Sequence, residues 1–234
     1  MNFHGYVFSE PYLSWLLQGL LMTLVISLMT TIFSLIIGIA VGMMRTSKNR
    51  FLQCCGGLYV VVFRNLPLLP FLLFMVFALP DAYKVIFGRT FPPGMEFPLL
   101  ISSISLNTAG YIAEIFRSGI RAIPEGQYSA ACVLGLKPWQ IYWRILFPQA
   151  IRIGFPALGS RLIHNMKNSS VAVVLPLNVE YTEVIGQTAR IAGQTFSWAE
   201  PLVFAAVVYL TLSLCISALV YKISLSIQLK DAIK

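Results

Sequence analysis

Long stretches without any charge alternate along the chain with short polar segments. Residues 11–44 contain no Asp, Glu, Lys or Arg, and an α-helix needs about 20 mostly apolar residues to cross a bilayer. This pattern predicts a first membrane span within residues 15–44. The stretch is longer than the apolar core of a signal peptide, and no Lys or Arg precedes Arg45. We therefore expect it to be retained as a span.

The same pattern predicts four more spans. The second starts as an entry helix at residues 51–63, continues with a kink at Pro67 and Pro70, and ends near Leu79. The other three are expected at residues 97–116, 153–179 and 201–221. Loops are expected at residues 81–96 and 180–200. The predicted fold class is an all-α membrane protein with five transmembrane helices in a single domain, residues 1–234.

Composition agrees with a membrane protein. The chain is 57% hydrophobic and 11% charged, whereas soluble domains are about 25% charged. A water-soluble enzyme, a nucleic-acid-binding protein and a disordered chain are all disfavoured, since so few charges could not cover a soluble surface. The four cysteines show no spacing typical of a zinc site or a disulfide framework.

The distribution of basic residues predicts the orientation. The net charge is +8, and eleven of the 17 Lys and Arg residues lie in residues 45–50, 117–152 and 222–234. Only three lie in the segments on the other side of the predicted spans. Because cytoplasmic loops carry the excess of basic residues, the N-terminus is expected outside and the C-terminus in the cytoplasm.

Residues 121–150 mix polar and apolar residues with several prolines and glycines, which predicts short helices outside the hydrocarbon. Ser129 can cap a short helix, the two alanines after it favour one, and Gly135 can end it. Pro138 suits the first turn of a second short helix, which Pro148 would stop. A small-residue helix between turns suits docking into a groove on another protein. An ordinary amphipathic connector is the alternative.

This segment resembles the "EAA" coupling loop of ABC-importer permease subunits, which has Glu-Ala-Ala, a later Gly and then Ile-x-Leu-Pro. Ser129 stands in place of the usual Glu, although Glu125 is close, and Phe147 replaces the usual Leu. The matching residues are Ala130, Ala131, Gly135, Ile145 and Pro148. The resemblance implies that an ATPase subunit is contacted by Glu125, Ser129, Ala130, Ala131, Gly135 and Leu136.

Other elements resemble the polar-amino-acid branch of that family. They are Phe-Arg-Asn-Leu-Pro-Leu-Leu-Pro at residues 63–70, residues 107–120, and Met-Lys-Asn-Ser-Ser at residues 166–170 with residues 186–198. The last pair is most similar to glutamate/aspartate-type permeases. The resemblance covers residues 12–225. It implies the type I ABC-importer permease fold in a bacterial inner membrane, with a second permease subunit, two ATPase subunits and an extracytoplasmic solute-binding protein as partners.

No phosphate-binding G-x-x-x-x-G-K-[ST] sequence occurs in the chain. If transport is driven by ATP, then ATP and Mg²⁺ are expected in a partner ATPase, and this chain is not expected to be an enzyme or to carry a cofactor or metal of its own. Paired carboxylates and other catalytic motifs are absent as well.

Ionisable residues inside predicted spans are costly and often functional. Arg64 and Glu114 lie near span ends, where snorkelling or mutual pairing would suffice. Arg161 and Lys167 are harder to explain, so they predict a polar cavity whose cations attract a carboxylate. A helix–helix interface joined by hydroxyls and amides is the alternative. The candidate pathway residues are Asn65, Asn107, Arg161, His164, Lys167, Asn168, Ser169 and Ser170.

The sequence thus predicts the permease subunit of an ATP-driven importer of polar amino acids, with glutamate/aspartate or glutamine as cargo. A secondary carrier or channel is the main rival, although it would usually show inverted repeats, and none is convincing here. A membrane-embedded enzyme would need clustered carboxylates or metal ligands. The sequence leaves the choice between homodimer and heterodimer open.

Overall fold

The computed structural model describes residues 6–175, 177 and 181–232, and the regular elements in these ranges are all helical. The α-helices are α1 (Tyr12–Thr46), α2 (Arg50–Asn65), α3 (Leu68–Leu73), α4 (Leu79–Phe87), α5 (Glu96–Arg121), α6 (Glu125–Val133), α7 (Pro138–Ile141), α8 (Phe147–Asn168), α9 (Val184–Thr195) and α10 (Ala199–Ala232). Short 3₁₀ turns form at Tyr6–Phe8 and Ser169–Val174, and π-helical turns at Phe74–Ala78 and Tyr142–Leu146. The predicted all-α class is confirmed.

Four helical segments of the described chain are long and apolar enough to cross a membrane: Tyr12–Thr46, Leu68–Phe87, Glu96–Arg121 and Ala199–Ile227. They correspond to the first, second, third and fifth predicted spans. The predicted fourth span is α8, which is less apolar because it carries Arg152, Arg161 and Lys167. The α-helix ends at Asn168 and not near residue 179, and a 3₁₀ turn follows it.

The second span differs from its prediction at both ends. α2 stops at Asn65, because Leu66 precedes Pro67 and a residue before proline avoids helical geometry. Extended backbone at Pro67 (ψ 132°) then separates α2 from α3. The apolar span is then Leu68–Phe87, ended by Gly88 at φ +64°. The predicted end near Leu79 and the predicted loop from residue 81 are therefore wrong.

Two prolines, one of them the Pro148 that we expected to stop a helix, lie inside helical stretches. Pro80 is the second residue of α4, and Pro148 is the second residue of α8. In both places a π-helical turn of five residues ends two positions before the proline. Proline has no N–H and its ring clashes with the carbonyl four residues earlier. A π turn, with its i→i+5 bonds, relieves both problems locally, so Pro148 does not stop the helix.

The predicted loop at residues 180–200 contains a helix, α9. Its buried side chains include Val184, Thr188 and Ile191, at positions i, i+4 and i+7, which is the spacing of a helix with one buried face. The carboxylate of Glu183 caps it by accepting from the backbone N–H groups of Ile185 and Gly186. The loop prediction missed this periodicity.

The chain divides into two compact units. The first comprises Met1–Ile32, Leu66–Ser105 and Ile163–Cys215. Its main apolar core is formed by Ile26, Leu72, Val76, Leu99, Leu100, Ile101, Ile104, Ala172 and Leu175. The second unit comprises Phe33–Asn65, Leu106–Leu162 and Ile216–Lys234. It has two smaller apolar clusters, centred on Ala113 and on Phe116.

Close packing in the second unit depends on a Gly-x-x-x-Gly pair on α1. A Cβ at Gly38 would lie 2.7 Å from the Ile112 side chain, and one at Gly42 would lie 2.8 Å from the Phe116 side chain. Small residues four apart let two membrane helices approach closely and gain van der Waals contact. α1 and α5 pack directly through this pair.

Candidate functional site

Arg161 lies in a polar cluster of the second unit, which we call the Arg161 cluster (Asn107, Tyr111 and Arg161). Its guanidinium carbon lies 3.7 Å from the Tyr111 ring centroid, and one guanidinium nitrogen donates to Asn107 Oδ1 at 3.3 Å. In turn, Asn107 Nδ2 donates to the Phe63 carbonyl at 2.8 Å and Tyr111 OH donates to the Arg64 carbonyl at 3.1 Å. α5 thus satisfies carbonyls at the end of α2, which a helix terminus leaves without partners.

The positive charge of Arg161 has only neutral neighbours in this cluster. Ion pairs in the described residues join Glu114 to Arg45 and Arg117, and none involves Arg161. Its buried Nε has no hydrogen-bond partner among the described residues. A cation within a membrane helix normally pairs with an anion or faces a polar cavity. The cluster can therefore accept an additional anionic or hydrogen-bond-accepting group.

Glu114 was expected to need only snorkelling or pairing with Arg64. Instead it pairs with Arg45 of α1 and Arg117 of α5, and Arg117 Nε donates to it at 3.1 Å. Arg64 is exposed. The predicted pairing of Glu114 with Arg64 is therefore wrong. The ion pair with Arg45 links α5 to α1, which is a structural role for Glu114.

Asn165 joins α8 to α1 in the first unit, and the sequence analysis did not select it. Asn165 is fully buried, and its Nδ2 donates to Thr30 Oγ1 at 2.8 Å and to Thr31 Oγ1 at 3.0 Å. Its position one turn after Arg161 on the same helix was the available signal. Asn165 therefore fits the alternative to a polar cavity, which was a helix–helix interface joined by hydroxyls and amides.

A second hydrogen-bond chain in the first unit links Ser169, Tyr209 and Glu183. Ser169 Oγ lies 3.4 Å from Tyr209 OH, and Tyr209 OH donates to Glu183 Oε2 at 2.8 Å. Ser169 and Glu183 are almost fully buried. Burial raises the pKa of the Glu183 carboxyl, and the N–H groups of Ile185 and Gly186 oppose that shift. Glu183 was not among the predicted candidates.

Lys167 and Ser170 line one cavity of about 450 Å³, together with Val173, Ile185 and Tyr209. The Lys167 side chain is exposed, so the described residues leave its ammonium group accessible to a ligand. The first unit thus brings Lys167, Ser169 and Ser170 around Tyr209.

The remaining predicted pathway residues, His164, Asn65 and Asn168, do not belong to either of these groups. His164 and Asn65 are exposed, and Asn168 is half-buried. Among the predicted candidates, the structure therefore brings Asn107 together with Arg161 in the second unit, and Lys167, Ser169 and Ser170 together around Tyr209 in the first. No grouping of three or more His, Cys, Asp or Glu side chains suited to a metal ion occurs in the described residues.

The loop between α5 and α8 contains two short helices, as its composition predicted. α6 begins at Glu125 after Pro124, so Ser129 lies inside the helix and its Oγ donates to the Glu125 carbonyl at 3.3 Å. The predicted capping role of Ser129 is wrong. Gly135 follows the helix at φ +74°, and Pro138 begins α7, as predicted from local turn chemistry.

Three large apolar side chains of this loop are exposed. Val133, Leu134 and Trp139 are 88%, 79% and 59% exposed. Ala131 is buried, while Glu125, Ser129, Ala130 and Gly135 are exposed and Leu136 is half-buried.

Polar contacts hold the loop in place. Lys48 Nζ lies 5.4 Å from the Tyr128 ring centroid, and Gln149 Nε2 donates to Gln127 Oε1 at 2.6 Å. The loop is thus a fixed projection with exposed apolar side chains.

Comparison with known proteins agrees with this arrangement. Residues 34–227 match the family described as "Binding-protein-dependent transport system inner membrane component". The chain is 32% identical over 206 residues to the probable amino-acid ABC transporter permease protein YckA of Bacillus subtilis, covering 86% of this chain and 82% of YckA. It is 33% identical over 174 residues to the glutamate/aspartate import permease protein GltJ of Escherichia coli, covering 72% of this chain and 71% of GltJ.

The fold is also similar to a solved structure. A crystal structure of an amino acid ABC transporter with histidines matches with a TM-score of 0.78 and 28% identity, covering 96% of this chain and 98% of that one. The predicted resemblance to ABC-importer permeases is confirmed. The chain therefore belongs to the family of binding-protein-dependent transport system inner membrane components, as a multi-pass inner-membrane permease similar to those of amino-acid ABC transporters.

Proposed function

We propose that this chain forms the translocation pathway of an ATP-driven importer for acidic amino acids, glutamate or aspartate, with glutamine as the alternative cargo. The observation that carries the proposal is the Arg161 cluster. In it, the guanidinium of a residue on a membrane helix contacts the uncharged side chains of Asn107 and Tyr111. A substrate carboxylate is the group that such a guanidinium binds best, through paired N–H donors. The similarity to the glutamate/aspartate permease GltJ supports the same cargo.

Asn107 and Tyr111 position the guanidinium in this proposal. Stacking on the Tyr111 ring fixes the plane of the Arg161 side chain, and Asn107 holds one nitrogen. The buried Nε donor remains for a substrate oxygen. Lys167 and Ser170 line a cavity of the first unit and would offer a second cation and a hydroxyl to an anionic cargo.

The loop at residues 121–150 would couple transport to ATP hydrolysis. Exposed Val133, Leu134 and Trp139 form an apolar projection, and an exposed apolar patch typically marks a protein interaction site. Its partner in this proposal is an ATPase subunit, which supplies ATP and Mg²⁺. A complete transporter would contain two permease subunits, two ATPase subunits and an extracytoplasmic solute-binding protein.

Reconstitution tests the proposal. The permease, its ATPase subunits and the solute-binding protein are placed in liposomes, and ATP-dependent uptake of labelled glutamate is competed with aspartate, glutamine and arginine. We expect aspartate to compete best. Arg161→Gln should lower glutamate uptake about tenfold, the worth of one charge-assisted hydrogen bond, and Arg161→Lys should recover part of it.

Lys84→Gln is the matched control because Lys84 is an exposed cation on α4. An Arg161→Gln transporter with unchanged preference for glutamate over glutamine would contradict the acidic-cargo assignment. Uptake driven by an ion gradient without any ATPase subunit would instead favour a secondary carrier.

A further inference from the structure

The turn that joins α1 to α2, residues 45–49, contacts the loop at residues 121–150 through Lys48 and Thr46. Lys48 Nζ lies 5.4 Å from the Tyr128 ring centroid, within the distance at which a cation is attracted to an aromatic face. Thr46 Oγ1 lies 3.4 Å from Tyr142 OH, and either hydroxyl can donate. Tyr128 belongs to α6, and Tyr142 begins the π-helical turn after α7. One short turn therefore contacts both halves of the loop.

Local hydrogen bonds hold this α1–α2 turn in shape. Asn49 Oδ1 accepts from the Phe51 N–H at 2.9 Å, which caps the start of α2. The Asn49 N–H donates to Ser47 Oγ at 3.2 Å, and Gln53 Nε2 donates to the Ser47 carbonyl at 2.6 Å. Because the turn is bonded to itself and to the first turn of α2, a displacement of it is passed to the helices on both sides.

The end of α1 beside this turn is also tied to α5. Arg45 forms an ion pair with Glu114, and Glu114 pairs in turn with Arg117. These side chains are partly buried, so salt screens their attraction less than it screens an open surface pair. α2 packs against the stem of Arg45, since a Cβ at Gly56 would lie 2.9 Å from Arg45 Cγ. The turn is thus joined by contact to α1, α2 and α5.

We propose that Lys48 and Thr46 are positioning residues of the transporter: by holding Tyr128 and Tyr142, they pass a displacement of α6 to α1 and α5. The inference rests on the proposed function in taking the loop as the contact with an ATPase subunit. It goes beyond that function by assigning the transmission to side chains of the α1–α2 turn, which lies outside the loop. Two separated contacts are what this role needs, because a single contact would let the loop pivot about it.

Uptake and ATP hydrolysis measured on the same proteoliposomes test the inference. The complete transporter, with its ATPase subunits and solute-binding protein, is reconstituted as wild type and as Lys48→Met, Lys48→Arg, Tyr128→Leu and Tyr128→Phe. Methionine keeps the length of the lysine stem without its charge, and phenylalanine keeps the ring without the hydroxyl. The ratio of labelled glutamate taken up to ATP hydrolysed does not depend on the amount of folded transporter. A variant that only lowers that amount therefore leaves the ratio unchanged.

We expect Lys48→Met and Tyr128→Leu each to lower the ratio about two- to fivefold, the effect of losing one exposed cation–π contact. The double variant should be no worse than either single variant, because both remove the same contact. Lys48→Arg and Tyr128→Phe should stay close to wild type, since a cation over a ring is retained. Tyr142→Phe should also lower the ratio, because it removes the hydroxyl that faces Thr46 while the ring remains.

Arg50→Met is the matched control. Arg50 is an exposed cation that begins α2, so its loss removes the same charge from the same segment and leaves the contact with Tyr128 in place. Its ratio should equal that of wild type. Amide hydrogen exchange gives a second readout that needs no transport. Lys48→Met and Tyr128→Leu should speed exchange in Glu125–Val133, because a helix with fewer contacts opens more often, and Arg50→Met should not.

Two results overturn the inference. One is an unchanged ratio in both Lys48→Met and Tyr128→Leu, and the other is an equal fall in Arg50→Met, which would assign the effect to charge alone. If wild type takes up glutamate with ATP in either case, the proposed function stands while the positioning role does not. If wild type hydrolyses ATP without taking up glutamate, the proposed function fails, and the exchange rates still decide whether Lys48 and Tyr128 hold α6.

Discussion

Asn165 Nδ2 donates to Thr30 Oγ1 at 2.8 Å, so a buried amide on α8 is tied to a buried hydroxyl on α1 within the first unit. Asn165→Ala leaves the α1 hydroxyls without this donor. Interhelical hydrogen bonds in membranes contribute about 0.6–1.7 kcal/mol, and we expect the free energy of unfolding to fall by about that amount. Denaturation by SDS titration in mixed micelles measures it.

His164→Ala is the control, since His164 is exposed on the same helix and its loss should leave the midpoint unchanged. Equal midpoints for the Asn165 variant and wild type would show that the Asn165–Thr30 bond does not stabilise the fold.

The Gly38-x-x-x-Gly42 contact predicts a large effect of a single methyl group. In Gly38→Ala the new Cβ meets the Ile112 side chain at 2.7 Å, and overpacking of this kind costs about 1–3 kcal/mol. In Gly57→Ala the Cβ has no heavy atom within 4 Å, and alanine in a helix stabilises by about 0.5–1 kcal/mol. The same SDS titration should move the two midpoints in opposite directions. A shift of both in one direction would contradict the packing argument.

Gly135 should be needed for coupling. Its φ of +74° is strained for any residue with a Cβ, at a cost of roughly 1–2 kcal/mol, so Gly135→Asp should distort the exposed loop. We expect ATP hydrolysis to continue while uptake falls, and the ratio of the two rates in proteoliposomes measures the change. Gly135→Asn should be milder, because Asn tolerates this conformation.

Gly126→Ala controls for that experiment. Gly126 lies in α6 and an added Cβ meets open space, so the ratio should stay at its wild-type value. Unchanged uptake by Gly135→Asp would refute the coupling role of the loop.

The buried Glu183 carboxyl predicts a pH dependence of stability. Burial raises its pKa in the folded protein above the usual value, so the folded state holds this proton more strongly than the unfolded state does. The associated stability is fully present below the unfolded pKa and is lost as pH rises through the folded pKa. The melting temperature of wild type minus that of Glu183→Gln should therefore fall as pH increases from about 4. A difference that is flat or rises with pH would contradict this assignment.

Local rules found the features that depend on neighbouring residues in the chain. The charge-free run at residues 11–44 predicted α1, and Gly135 and Pro138 occupy the positions that turn chemistry predicts. The same rules failed at Pro148, because a π turn before it lets the helix continue. They also failed at Ser129, which was expected to cap a helix. The helix already begins at Glu125, so Ser129 lies inside it.

The amino-acid sequence by itself determined that this is a multi-span helical membrane protein, which segments are apolar, and which loop resembles a coupling loop. Only the tertiary structure decided the partners of single polar side chains: Arg161 with Asn107 and Tyr111, Asn165 with Thr30, and Glu183 with Tyr209. The physical reason is the separation along the chain of the residues that decide each feature. Span formation depends on hydrophobicity summed over about 20 consecutive residues, whereas a hydrogen bond between helices requires two atoms, far apart in sequence, to lie within about 3 Å.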